Sequence, residues 1–139
     1  MAQSLPADPI ATAQRQSLDL PEIRFSLLYW RATDAARNGR EALLLHGLGG
    51  TAATQTPVGA ALAERGWSVR ALDLPGHGWT SWLTPEGVPV QDPESVEPAR
   101  YRLDGLGRLL GDAIRALGLS RPPVLIGRAS CRERVFITV

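Results

Sequence analysis

Two short stretches carry most of the side chains that could move protons or attack an electrophile. His46 opens the run His46-Gly47-Leu48-Gly49-Gly50. Asp73 opens Asp73-Leu74-Pro75-Gly76-His77-Gly78, which Trp79 and Thr80 follow. Imidazoles and carboxylates are the common proton carriers of active sites. Near the end of the chain, Ser130 and Cys131 offer a hydroxyl and a thiol as candidate nucleophiles. Each group also has a plainer role, and we assign that role first. His46 and His77 pin their turns through hydrogen bonds, and Asp73 caps the end of a strand; His46 is not taken as a catalytic base. Trp79 and Trp82 suit loop packing better than the rim of a substrate mouth, and Tyr101 suits packing at a helix start. With Cys131 the single cysteine, these residues hold no internal disulfide and no multi-cysteine metal site. No histidine stands near it in sequence to favour thiol chemistry.

The elements that must position these residues follow from periodicity. Residues 42–45 are a continuous apolar run, as expected of a strand buried on both faces, and residues 67–72 read as the next buried strand. Between them Thr56 suits an N-cap and Pro57 the first helical position. Val58, Leu62 and the alanines form the predicted buried stripe, and Gly66 the stop. Ile23, Phe25, Leu27 and Tyr29 alternate with a mixed set, which predicts a strand with one firmly apolar face. Whether residues 28–31 belong to it or cross a bend as a second strand stays open. Residues 33–39 read as a turn ending in Asn-Gly. Residues 81–98 are proline-rich and aperiodic, a long loop. Leu103, Leu106, Leu110, Ile114 and Leu117 recur at helical spacing up to Gly118. Gly105, Gly107 and Gly111 weaken that helix by about 1 kcal/mol each relative to Ala and would let it lie close to a sheet. Another strand follows at residues 124–126. Strands alternating with helices predict an α/β fold with a mostly parallel sheet and crossover helices. Sites in such sheets form beyond the carboxyl ends of strands, where both glycine-rich turns would stand.

The chain has 139 residues, enough for one domain, with 44% hydrophobic and 21% charged residues and a net charge of +1. Its arginines are scattered, which argues against a nucleic-acid or membrane partner. Its apolar runs are too short to cross a bilayer. The first residues lack the basic start and apolar core of a secretory signal, so a cytoplasmic setting is expected. Residues 1–19 show no period and read as a disordered tail. The domain is then residues 20–127.

Together these pieces resemble the N-terminal part of an α/β-hydrolase. The resemblance rests on His46-Gly47-Leu48-Gly49-Gly50 after one strand and Asp73-Leu74-Pro75-Gly76-His77-Gly78 after the next, with Thr80 where the family usually has Ser. It implies a serine hydrolase of esters, lactones, thioesters or similar acyl bonds, with a small-molecule acyl substrate and neither metal nor organic cofactor. It also implies that the Leu48 N–H donates to an oxyanion hole. Gly47 and Gly49 would shape that loop, and Gly50, Gly76 and Gly78 would serve as turn residues.

The family should next present Gly-x-Ser-x-Gly. Here Ile126 and Gly127 lead to Arg128-Ala129-Ser130-Cys131-Arg132. Ala129 sits at the expected nucleophile position, and Ser130 stands one residue late. Residues 126–135, IGRASCRERV, resemble the conceptual translation of a short-read sequencing adapter. On that reading residues 128–139 are a non-native tail and the later acid and histidine are missing, so the fragment is expected to be inactive. The strand at 124–126 would then become an uncovered edge, inviting aggregation. Two rival readings are a non-enzymatic binding module of the same fold and a dinucleotide-binding domain. For the latter, Gly47-x-Gly49-x-x-Ala52 with Asp73 resembles the fingerprint. A helix beginning at Thr51 would favour it, while Pro57 inside such a helix, at about 3 kcal/mol, opposes it.

Overall fold

The computed structural model describes residues 13–47 and 49–128 and the backbone of 136–138. Six strands form one sheet: β1 Gln14–Leu20, β2 Ile23–Trp30, β3 Glu41–Leu45, β4 Ser68–Leu72, β5 Val124–Gly127 and β6 Phe136–Thr138. Their spatial order is β1-β2-β4-β3-β5-β6. β3 pairs in parallel with β4 and β5, and antiparallel pairs flank this centre on both sides. Two helices, α1 Thr56–Glu64 and α2 Leu103–Leu117, complete the α/β architecture.

The central strands are apolar on both faces because both faces are covered. Ile23, Phe25, Leu27, Leu43 and Leu72 form one core with Leu109 and Ala113 of α2. Leu28, Trp30, Ala42, Leu44, Val69 and Ala71 form the other, with Ala63 of α1. The molecule is thus helix, sheet, helix. β2 runs unbroken through Trp30, and of its mixed face Leu28 and Trp30 are buried on the α1 side while Arg24 is exposed.

α1 begins one residue from the predicted cap. Gln55 is the N-cap, Thr56 the first helical residue, and a 3-10 turn, Ala52–Gln55, precedes it. The predicted stripe is wrong in part. Val58 is 41% exposed, and the buried positions are Thr56, Gly59 and Ala63. A Cβ on Gly59 would come within 2.6 Å of the Trp30 indole. The helix lies flat on that ring, so its contact face must be small. In α2, Leu109 and Ala113 are buried and Leu106, Leu110, Ile114 and Leu117 pack around them. Leu103, expected in the stripe, is 89% exposed. Gly107 faces open space, so the helical glycines do not serve contact with the sheet. Gly105 instead meets the preceding turn, where a Cβ would stand 2.9 Å from the Arg100 carbonyl oxygen.

Two further expectations need correction. Residues 14–19, placed in the disordered tail, form β1 together with Leu20 and pair residue by residue with β2, from Gln14 opposite Tyr29 to Leu20 opposite Ile23. Leu18 and Leu20 pack on the first core. The strand left no apolar period because most of its side chains face solvent. Residues 1–12 lie outside the described residues. The edge expected at residues 124–126 is paired, since β6 runs antiparallel to β5 and takes up its main-chain groups.

Candidate functional site

Leu72, Leu45 and Gly127 occupy one row across β4, β3 and β5. Immediately beyond that row stand Asp73, His46 and Arg128. Both glycine turns and the end of β5 therefore meet at the carboxyl end of the parallel strands. The Arg128 N–H donates to the Leu45 carbonyl at 3.1 Å, holding the last described residue of that connection beside the first turn.

His46 joins the two turns. It is only 3% exposed. Its Nε2 accepts the Leu74 N–H at 2.9 Å, so the proton sits on Nδ1, which donates to the Gly47 carbonyl at 2.8 Å. With both ring nitrogens committed, the imidazole has no free lone pair for a substrate proton. Burial holds its pKa below the usual 6.5. The His77 ring, 5.0 Å away between centroids, pushes the same way, and the Gly47 carbonyl and Asp73 partly oppose it. His77 Nδ1 bonds the Pro75 carbonyl at 3.0 Å. Both histidines thus bond groups of the two turns.

Asp73 does more than cap a strand. Its carboxylate is 1% exposed. Oδ1 accepts the Ala52 N–H at 2.6 Å, while Oδ2 accepts the Trp79 N–H at 3.1 Å and pairs with Arg15 at 3.3 Å. Arg15 also donates to the Ser26 hydroxyl at 2.5 Å. The Thr80 hydroxyl donates to the Asp73 carbonyl at 2.7 Å and accepts the Ser26 N–H at 2.8 Å. One buried carboxylate therefore ties β1, the first helical turn and the second glycine turn together. Sequence reasoning missed Arg15 and Ser26. The cue was an arginine in the strand partner of β2, invisible while that strand read as a tail.

The first turn is built more sparely. The Gly50 N–H closes it onto the Gly47 carbonyl at 3.0 Å, and Gly49 holds φ +74°. A Cβ on Gly47 would lie 3.1 Å from the Arg128 carbonyl oxygen, a tight contact that would push the two connections a few tenths of an ångström apart. Leu48 and Ala129, the expected oxyanion donor and the residue at the nucleophile position, lie outside the described residues, as do Ser130 and Cys131. Trp82 packs as expected, lying over Gly76 and 6.3 Å from Tyr101. The Tyr101 hydroxyl accepts the Leu83 N–H at 3.0 Å, so Tyr101 is also a packing residue. Trp79 is not packed: it is 69% exposed at the rim. Among the described residues no group of three His, Cys, Asp or Glu side chains converges as a metal site. Among them, too, no helix is long and apolar enough to cross a membrane.

The same contacts weigh against a dinucleotide site. The helical turn after Thr51 is 3-10, and its first amide, Ala52 N–H, is already bonded by the Asp73 carboxylate. In a dinucleotide fold that end would face pyrophosphate, and the acid would reach a ribose hydroxyl.

The chain belongs to the α/β-hydrolase fold family, whose sequence model matches residues 43–127. No curated protein matches the chain. Among solved structures it resembles an epoxide hydrolase from Vigna radiata, with a TM-score of 0.67 and 21% identity over 86% of this chain and 33% of that one. It also resembles a thioesterase domain from the curacin biosynthetic pathway, with a TM-score of 0.63 and 21% identity over 84% of this chain and 35% of that one. A membrane phospholipase A described as a bacterial virulence factor gives a TM-score of 0.63 and 23% identity over 86% of this chain and 32% of that one. At these identities the likeness is one of fold. The chain spans about a third of the length of each.

Proposed function

We propose that these residues are the N-terminal part of an α/β-fold serine hydrolase whose intact form cleaves an ester, thioester, lactone or similar acyl bond of a small molecule. A serine oxygen, deprotonated with the help of a histidine, would attack the carbonyl carbon. The Leu48 N–H would help to hold the oxyanion, a contribution of about 3 kcal/mol for a preorganised donor. The observation that carries this reading is the locked His46 turn beside the end of β5, with Gly47 against the Arg128 carbonyl. A nucleophile two residues beyond Gly127 would emerge next to that turn. A cytoplasmic setting belongs to the same reading.

In the present sequence Ala129 takes that place, no Gly-x-Ser-x-Gly occurs, and no histidine follows His77. The 139-residue polypeptide is therefore expected to hydrolyse nitrophenyl esters no faster than a heat-killed sample of itself. Turnover lost on Ser130→Ala would instead place the nucleophile at Ser130. The native gene downstream of Leu125 tests the parent reading directly. A Gly-x-Ser-x-Gly there, with a serine labelled by a fluorophosphonate in the intact protein, supports it. An in-frame Ala129 at the genomic locus favours a binding module.

A further inference from the structure

A second cleft opens at the opposite end of the sheet. Glu41 and Val124, the first residues of β3 and β5, line it together with Arg40, Trp67, Arg121 and Pro122, and its volume is about 230 Å³. β3 has five residues, so the cleft stands roughly 15 Å from the glycine turns at the rise of an extended strand.

Its charge is one-sided. The Glu41 carboxylate is taken by Arg70 at 2.8 Å, with both side chains mostly buried. Arg40 and Arg121 have no carboxylate partner among the described residues. Their guanidinium groups approach the same mouth. That of Arg40 lies 5.3 Å from the centre of the Trp67 ring. That of Arg121 lies against Gly39, the chain neighbour of Arg40, where a Cβ would be 3.9 Å from its Cζ and Nη1. The remaining wall is apolar: the Trp67 ring, Pro122 and Val124.

We propose that this cleft binds a small planar carboxylate of about the size of benzoate. Guanidinium forks match the two oxygens of a carboxylate, and two of them line this mouth with no carboxylate partner among the described residues. The indole and the proline give a flat apolar wall against which a ring can lie. The volume is below the roughly 300 Å³ at which pockets begin to hold drug-sized molecules, so it suits a single ring. Phosphate or acetate would meet the charge and leave the apolar wall uncovered. Nothing in this proposal depends on the hydrolase reading of the other end.

The test uses the ¹⁵N-labelled 139-residue chain and the indole N–H signals of its 4 tryptophans. Benzoate, benzamide, acetate and inorganic phosphate are titrated separately at constant ionic strength. Benzoate is expected to shift the Trp67 signal, identified by its loss in Trp67→Phe, to saturation. Arg121→Ala and Arg40→Ala each weaken that response by about 10-fold or more, and so does replacing benzoate with neutral benzamide. Both arginines are exposed, so these variants should keep the dispersed spectrum of the parent chain. Four results overturn the proposal: no saturable shift, phosphate or acetate acting as strongly as benzoate, a response that survives both arginine variants, or a spectrum without dispersed amides.

Discussion

The two glycine-bearing turns end neighbouring parallel strands, yet they are held in opposite ways. The turn after β4 is saturated with bonds. Asp73, Thr80 and Ser26 exchange main-chain and side-chain hydrogen bonds, and the His77 and Thr80 amides find carbonyl partners at 2.9 and 3.1 Å within the turn. The turn after β3 keeps its amides largely uncommitted. Of the Gly47, Gly49 and Gly50 amides, only that of Gly50 has a partner among the described residues. Its shape is imposed from beside it by the His46 ring, which the second turn anchors. Under the proposed function, a site that offers N–H groups to a developing anion cannot spend them on its own loop, and a rigid neighbour would do the holding.

The largest test of this division is Asp73→Ala. It leaves Arg15 without its carboxylate and the Ala52 and Trp79 amides without acceptors. Leaving a buried donor without its acceptor costs about 1–3 kcal/mol, and two amides lose theirs here. That is a large part of the roughly 5–15 kcal/mol available to a whole domain. Urea unfolding followed by circular dichroism should register the loss; a change under about 1 kcal/mol would mean that the second turn is not the anchor.

Paired glycine substitutions come next. Gly78 holds φ +52°, and a Cβ there would stand 2.4 Å from the Asp73 carboxylate. Gly49 holds φ +74° with open space around the same position. Gly49→Ala should therefore cost only the left-handed backbone term, about 1–2 kcal/mol. Gly78→Ala adds a clash with fixed atoms and should cost about 3 kcal/mol or more. Thermal melts of the two variants, compared side by side, would break the contrast if Gly49→Ala proved the worse.

This contrast also explains what the sequence disclosed. Both turns were legible, because an apolar run ending in closely spaced glycines admits few backbone paths. So were β3, β4 and the extent of α2, whose patterns are set by burial on two faces or on one stripe. The face of α1 was not legible. Its contact is a glycine and an alanine against an indole, and small residues carry no hydrophobic period. β1 was hidden for a related reason: a polar edge strand is fixed by its ladder and by Arg15, and neither leaves an apolar alternation. The sequence marked His46 only as part of a turn; its bond to the Leu74 N–H of the other turn required the fold. The reach of Asp73 back to Ala52 and Arg15 required the fold.

Titration probes the link between the turns. Because burial holds the folded-state pKa of His46 below the 6.5 of the unfolded chain, the unfolded state takes up the proton first. The stability linked to this neutral ring is fully present above pH 6.5 and is lost as pH falls through and below it. His46→Phe should remove that component of the pH dependence. At pH 8 it should also cost about 1–3 kcal/mol, by leaving the Leu74 N–H unpaired. Melting curves between pH 5 and 8 on both proteins check the sign; a parent chain that gains stability on acidification over this range would contradict the buried, neutral ring.

Arg15→Ala is the mildest of the five variants and the most diagnostic of where the anchor lies. The arginine side chain is 42% exposed, against 1% for Asp73, so water and salt screen its half of the pair. Its loss should cost about 1 kcal/mol or less, and raising the ionic strength should shrink the difference between variant and parent. The Ala52 and Trp79 amides still solvate the carboxylate in that variant, which is why the two members of one ion pair should behave so differently. If Arg15→Ala instead matched Asp73→Ala, β1 would be the element that holds the second turn. The candidate site would then depend on an edge strand rather than on the sheet centre.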